Sequence, residues 1–230
     1  MSDTKMISAE ELAACIDHTL LKAQATRADL EKLCAEAVQY GFASIAINPA
    51  QVAFCLKQLE GSGVRLSACV GFPLGQNIKD LKFLEAMNAI EEGANEIDYV
   101  INLTELKAKN LRYIEDEMNS IVLLCRVNHV LSKVIFENCY LSDEEKGELC
   151  RIALAVRPDF IKTSTGFGTG GATLEDVRLM KDIVGDKIKI KAAGGIRDLK
   201  TALAMLDCGA ERLGSSVGVA IIEELKGPVS

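Results

Sequence analysis

Strand-like and helix-like segments alternate along this chain at intervals of about 25–40 residues, and no other feature narrows the possible folds so far. Ser44-Ile45-Ala46-Ile47 is short, apolar and β-branched, whereas Arg27 to Tyr40 is amphipathic at helical spacing and stops at Gly41. Parallel strands need such crossover helices, so the alternation predicts a parallel sheet. Eight strands are expected: Cys15 to His18, Ser44 to Ile47, Arg65 to Val70, Glu96 to Ile101, Lys133 to Glu137, Phe160 to Lys162, Lys187 to Lys191 and Arg212 to Gly214. Pro49 is placed to open the helix after the second strand, and Asn77 to cap the one after the third, with Asp80 three residues on. One long helix reaching about Asn128 is expected after the fourth.

Eight strand–helix units in 230 residues, 49% of them hydrophobic, match the count and size of an α/β single-domain (β/α)8 TIM barrel spanning 1–230. A doubly wound open sheet is the alternative. Its usual dinucleotide fingerprint is missing, because Gly166-Phe167-Gly168 starts a G-x-G in the sixth unit with no acidic strand end about 20 residues on.

Composition excludes several functions. The formal charge is -7 and no Lys/Arg-rich run is present, so nucleic acid is not an expected partner. The N-terminal stretch MSDTKMISAEELAACIDHTL lacks a continuous apolar region, and no stretch approaches eighteen apolar residues, which predicts no membrane association and a cytoplasmic protein. Eight cysteines without a C-x-x-C pair suit reduced, buried thiols, and two histidines exclude a multi-histidine metal site.

The chemistry concentrates in Pro158 to Thr173, PDFIKTSTGFGTGGAT: a short strand ends on Lys162, a glycine-rich loop follows, and Thr173 caps the next helix. Chemistry in parallel barrels sits at the C-terminal ends of strands, and a glycine-rich loop before a helix offers backbone N–H groups to an anion. The plainer reading is a strand-end lysine snorkelling to water beside a flexible turn. Strand parity adds partners. In Lys187-Ile188-Lys189-Ile190-Lys191 the isoleucines share one face, so Lys189 and Lys191 are expected to point into the barrel, and Glu96, Asp98, Val100 and Asn102 share a face likewise. A lysine nucleophile must be neutral, and a second lysine nearby lowers its pKa; Lys191 could act so on Lys162, with Asp98 carrying protons. Alternatively, Asp98 and Lys191 form a structural ion pair.

Two more glycine segments, Ala192 to Arg197 and Gly214 to Gly218, follow the seventh and eighth strands, where barrels commonly hold phosphate; backbone N–H groups and the Ser216 hydroxyl would bind it. Either alone reads sooner as an ordinary strand–helix turn, and it is the two together in the expected loops that point to phosphate. Asp17 is expected at the barrel mouth, His18 as a structural histidine, Glu137 as a cavity residue or lysine partner, and Cys139 as packing.

These motifs together resemble the deoxyribose-phosphate aldolase family: DHTLLK at 17–22, GFPLG at 71–75, EIDYVIN at 96–102, DFIKTSTGFGTGGAT at 159–173, KAAGGIR at 191–197 and GSS at 214–216 occur in the family's order. The resemblance implies that Lys162 forms a Schiff base, Lys191 perturbs it, Asp98 relays protons through water and Asp17 assists. It implies phosphate held at Gly166, Gly194, Gly195, Gly214 and Ser216, with Arg197 nearby. The implied reaction is reversible cleavage of 2-deoxy-D-ribose 5-phosphate to D-glyceraldehyde 3-phosphate and acetaldehyde in deoxyribonucleoside catabolism, with no metal or organic cofactor, by a homodimer or homotetramer. The chain departs from the pattern at Ala46, where many relatives have cysteine, at Val217, where a second serine is common, at Leu103-Thr104 in place of a small turn, and in ending without the tyrosine that some relatives bring to the site.

Overall fold

The alternation closes into a ring of parallel strands wrapped by helices. The computed structural model describes residues 7–227; the ends of the expected 1–230 domain, including the last three residues, lie outside the described residues. In chain order the elements are α1 (Ala9–Ala13), β1 (Ile16–Leu20), α2 (Arg27–Tyr40), β2 (Ser44–Ile47), α3 (Val52–Gln58), β3 (Arg65–Val70), α4 (Lys79–Glu91), β4 (Glu96–Val100), α5 (Leu103–Lys107), α6 (Leu111–Val127), β5 (Leu131–Ile135), α7 (Asp143–Val156), β6 (Phe160–Lys162), α8 (Leu174–Val184), β7 (Lys189–Ala193), α9 (Leu199–Asp207), β8 (Arg212–Ser215) and α10 (Gly218–Lys226). Each strand pairs in parallel with the next and β8 pairs with β1, so the sheet is a closed (β/α)8 barrel and not the open alternative.

Local chemistry explains the boundaries. Thr26, Ser142 and Thr173 cap α2, α7 and α8 by accepting from backbone N–H groups three residues on, and Gly41 ends α2 in the left-handed region at φ 68°. Three expectations shift. Ile78, not Asn77, precedes α4, without a side-chain cap. The helix after β4 divides into α5 and α6, because Asn102 caps the first and Asn110 starts a second. Strands β5 and β7 sit two residues from the expected starts, since Leu131 and Ala193 extend pairing that apolar runs alone underweighted.

Outward-facing Ile45, Ile47, Ile97, Val134, Ile161, Ile190 and Leu213 pack under the helices in one continuous core. Inward-facing positions are different: Asp17, Ser67, Glu96, Asp98, Lys133, Lys162 and Lys191 are all buried in the lumen. The top of β4 is held from outside by a buried pair, Lys82 Nζ donating to Glu117 Oε1 and to the Val100 carbonyl, each at 2.7 Å, while Glu117 Oε2 accepts from Asn102 N. Asn102, expected to share the inner face, is spent on that contact and on capping α5.

Candidate active site

Register puts the amines side by side. Lys162 and Lys191 are direct partners across β6 and β7, and Lys191 and Arg212 across β7 and β8, so their side chains leave the sheet together. Asp98 reaches them from the opposite wall. Its Oδ2 accepts from Lys162 Nζ and Lys191 Nζ, both at 2.7 Å, and its Oδ1 accepts from Lys133 Nζ at 2.6 Å and Ser67 Oγ at 2.8 Å. Asp17 lies beneath, with Oδ2 2.5 Å from Lys191 Nζ and Oδ1 accepting from Arg212 Nη1 at 2.5 Å. Glu96 closes the network through Lys133 at 2.5 Å and Arg212 at 3.3 Å. Lys189 is corrected: it has the parity of Lys191 but stands at the open N-terminal end of the barrel, exposed.

Four cations and three carboxylates thus share the barrel lumen, all of them buried. An unbalanced charge there is costly, so the cluster favours losing one proton. Burial and the neighbouring lysines take Lys191 below its ordinary value despite Asp17 and Asp98. Burial also opposes protonation of Lys162, but the Asp98 charge outweighs it and Lys162 lies above its ordinary value. The expected lowering falls on Lys191 and not on Lys162: Asp98 sits between the two amines, and its charge outweighs the repulsion at Lys162. Although burial works against ionisation, Lys133, Lys162 and Lys191 hold Asp98 well below the usual carboxylate range, and Lys191, Lys133 and Arg212 do the same for Asp17.

Depressed carboxylate pKa values contribute stability above the ordinary value of 3.8 that is lost as pH falls below it. Thermal unfolding is therefore expected to be insensitive to pH between about 8 and 5 and to weaken steeply below about 4. Asp17→Asn should flatten that acid limb in calorimetry; an unchanged limb would show that the cluster does not govern acid unfolding.

Above the lysines opens a cleft of about 490 Å³. Lys162 is on its floor, and Gly166, Gly194, Gly195, Arg197, Gly214 and Ser216 line it, so every residue expected at the phosphate meets in one place. Asp98, Lys191 and Asp17 lie below the floor, touching the cleft through Lys162. The N-terminus of α10 has no side-chain cap at Val217, which lines the cleft, an arrangement that suits an anion. An apolar wall, Leu21, Ala46 and Cys69 with Phe72 against them, stands beside the amine, and burial pushes the Cys69 thiol up to about 11. Phe167 meets Phe72 edge-on at 5.4 Å between centroids, and Lys162 Nζ is 5.9 Å from the Phe72 centroid. His18 lines the cleft but shares a 2.8 Å hydrogen bond with Glu36, the structural role expected of it. Among the described residues Glu137 pairs with no lysine; its carboxylate accepts from Thr165 N and Thr165 Oγ1 and so steadies the start of the glycine loop. Cys139 packs beside it.

Lys133 and Arg212 were not singled out from sequence. A lysine in the middle of β5 was the available signal for the first, hidden by starting that strand at Lys133 itself. Ser215 was missed too: its hydroxyl donates to the Ile196 carbonyl at 2.8 Å and accepts from Val217 N, tying the loops after β7 and β8 together. Those loops meet the glycine loop at Gly171 and Gly194, where Ala172 N donates to the Ala193 and Gly194 carbonyls and a Cβ on Gly171 would overlap the Gly194 carbonyl. Gly171→Ala is expected to separate the loops, raising KM for a phosphorylated substrate about tenfold and costing about 1–3 kcal/mol of stability. Steady-state kinetics check this, and an unchanged KM would mean that the loop contact does not shape the cleft.

Among the described residues no helix is long and apolar enough to cross a membrane, and no group of three or more His, Cys, Asp or Glu is arranged to hold a metal. The family model described as DeoC/LacD family aldolase matches residues 12–224. A deoxyribose-phosphate aldolase from Lactobacillus acidophilus is 54% identical over 217 residues, covering 94% of this chain and 92% of that one. One from Bacteroides thetaiotaomicron is 54% identical over 220 residues, covering 96% and 92%. Among solved structures, the deoxyribose phosphate aldolase of Aeropyrum pernix, described as having a unique tetrameric structure, superposes with a TM-score of 0.90 at 33% identity over 96% of this chain and 94% of that one.

Proposed function

Since the chain belongs to the DeoC/LacD aldolase family, we propose that it cleaves 2-deoxy-D-ribose 5-phosphate reversibly to D-glyceraldehyde 3-phosphate and acetaldehyde, through a Schiff base on Lys162. The observation that carries the reading is the single oxygen, Asp98 Oδ2, held 2.7 Å from both Lys162 Nζ and Lys191 Nζ beneath a glycine-lined cleft.

An amine attacks a carbonyl only when neutral. Lys162 rests protonated and Lys191 is the group inclined to lose its proton, so Asp98 can pass the Lys162 proton to Lys191 without releasing it to bulk water. Neutral Lys162 adds to the C1 aldehyde, and loss of water forms the iminium. The proton leaves the C3 hydroxyl, the C2–C3 bonding pair moves toward the iminium nitrogen, and D-glyceraldehyde 3-phosphate departs. The enamine on Lys162 is then protonated at C2 and hydrolysed to acetaldehyde, returning the amine. The iminium supplies the electron sink, so the reading requires neither metal nor organic cofactor. Asp17, paired with Lys191 and Arg212, sets how readily Lys191 accepts the proton.

The phosphate would sit over the N-terminus of α10 between Gly166, Gly194, Gly195, Gly214 and Ser216, with Arg197 at the rim. Val217 offers no hydroxyl there, leaving backbone groups to do more of the binding. The Ala46, Leu21 and Cys69 wall suits the unsubstituted C2 methylene. The same proposal makes the chain a cytoplasmic enzyme of deoxyribonucleoside catabolism and a homodimer or homotetramer; exposed Leu74, Ile78, Leu81 and Leu84 at the start of α4 give self-association an apolar surface. Incubation with 2-deoxy-D-ribose 5-phosphate, with acetaldehyde and glyceraldehyde 3-phosphate each measured enzymatically, tests the reaction: equimolar release supports it, and no release refutes it.

A further inference from the structure

The opposite end of the barrel carries a charge distribution that, Arg212 and its pairing with Asp17 aside, the aldol reaction does not use. A cavity of about 680 Å³ opens at the N-terminal mouth, lined by the cations Arg65, Arg157, Lys187, Lys189 and Arg212. The chain as a whole has a formal charge of -7, so this concentration runs against its average. Among the described residues two carboxylates line the same cavity, and each has a partner elsewhere. Asp159 Oδ2 accepts from Ser132 N at 2.9 Å and Ser132 Oγ at 2.8 Å, and Asp186 pairs with Lys181 at 3.0 Å. Arg65 leans on Glu96 at 3.4 Å, and Arg212 on Glu96 at 3.3 Å and on Asp17 at 2.5 Å. Among the described residues Arg157, Lys187 and Lys189 have no carboxylate within ion-pair distance.

Their placement is set by the backbone. Arg157 ends α7 in the left-handed region, φ 62°, with its N–H donating to the Ala153 carbonyl and its own carbonyl accepting from Arg126 Nη2 at 3.1 Å. Lys189 and Arg212 stand over one ring, 5.7 and 5.5 Å from the Phe160 centroid. Like charges gathered in one concavity repel unless something negative sits among them, and the volume falls in the range of small-molecule sites. Separate cations lining one concavity fit a compact ion with several charges.

We propose that the N-terminal mouth of the barrel is a second anion site, distinct from the catalytic cleft, that takes a compact multivalent anion of the pyrophosphate type. The site is independent of the aldolase assignment, since none of Arg157, Lys187 and Lys189 lies in the catalytic cleft.

Calorimetric titration of the full chain with sodium pyrophosphate tests it. The Arg157→Ala/Lys187→Ala/Lys189→Ala variant is expected to bind pyrophosphate at least about tenfold more weakly, with kcat and KM for the phosphosugar unchanged. Ser216→Asp, which crowds the upper cleft with a charge, is expected to retain full pyrophosphate affinity while losing phosphosugar affinity. Lys187→Glu, a single exposed change, gives a milder version of the first loss and guards against misfolding of the triple variant. No binding to the parent protein, equal binding by the triple variant, or loss confined to Ser216→Asp would each overturn the proposal.

Discussion

Replacing Lys162 by alanine is expected to lower kcat by at least about 10⁴-fold while leaving the barrel folded. The size of the effect follows from the chemistry: among the described residues Lys162 is the amine that both ends a strand and lines the cleft, Lys22 and Lys32 lining it from outside the strands, while Lys191 lies beneath, with a side chain 1% exposed and held by Asp17 and Asp98. The fold should tolerate the change for an electrostatic reason. Lys162 is one of four cations facing three carboxylates, so its removal, with Lys191 then keeping its proton, leaves the interior balanced, offsetting much of the packing lost with its aliphatic stem. Incubation with acetaldehyde and borohydride, followed by peptide mass spectrometry, should give an ethylated Lys162 in the parent and no adduct in Lys162→Ala. An ethylated Lys191 in the variant, with turnover retained, would remove Lys162 from the covalent role.

Much of this arrangement was legible in the sequence because strand parity is simple. Lys162 closes a three-residue strand before glycines, and Asp98 alternates with Ile97 and Tyr99, whose outward packing fixes the inward direction of the carboxylate. Parity does not report height along the barrel axis. Lys189 and Lys191 share a face, yet one is at the open bottom and the other deep in the lumen, a difference that depends on the stagger between β7 and its neighbours. Lys133 was obscured in the same way, since its position opposite Asp98 comes from pairing between β4 and β5. The direction of the Lys162 shift needed geometry as well: two adjacent lysines suggest mutual lowering, but a carboxylate oxygen placed between them decides which one keeps the proton. The phosphate cleft was readable loop by loop, whereas the Ser215 tie and the Gly171–Gly194 approach belong to contacts between loops distant in sequence.

Asp98→Asn separates the two jobs assigned to that residue. Asparagine keeps the shape and a carbonyl oxygen for Lys162 or Lys191, but it removes the charge that holds Lys162 above its ordinary value. The amine should then be neutral more often at neutral pH, so trapping of acetaldehyde by borohydride should persist or quicken. Turnover should nevertheless fall by about 10²–10³-fold, because the path for the proton from Lys162 to Lys191, and back to the enamine, runs through the carboxylate. Stability should drop as well, by about 3–5 kcal/mol, since Lys133, Lys162 and Lys191 lose a common partner inside the barrel. A purely structural Asp98 predicts a different pattern, in which trapping and turnover fall together in proportion to the unfolded fraction and recover together at lower temperature. Measuring both rates on the same folded sample between pH 6 and 9 distinguishes the two. Trapping that is preserved while kcat collapses assigns Asp98 to proton transfer, and a kcat near the parent value would refute that assignment.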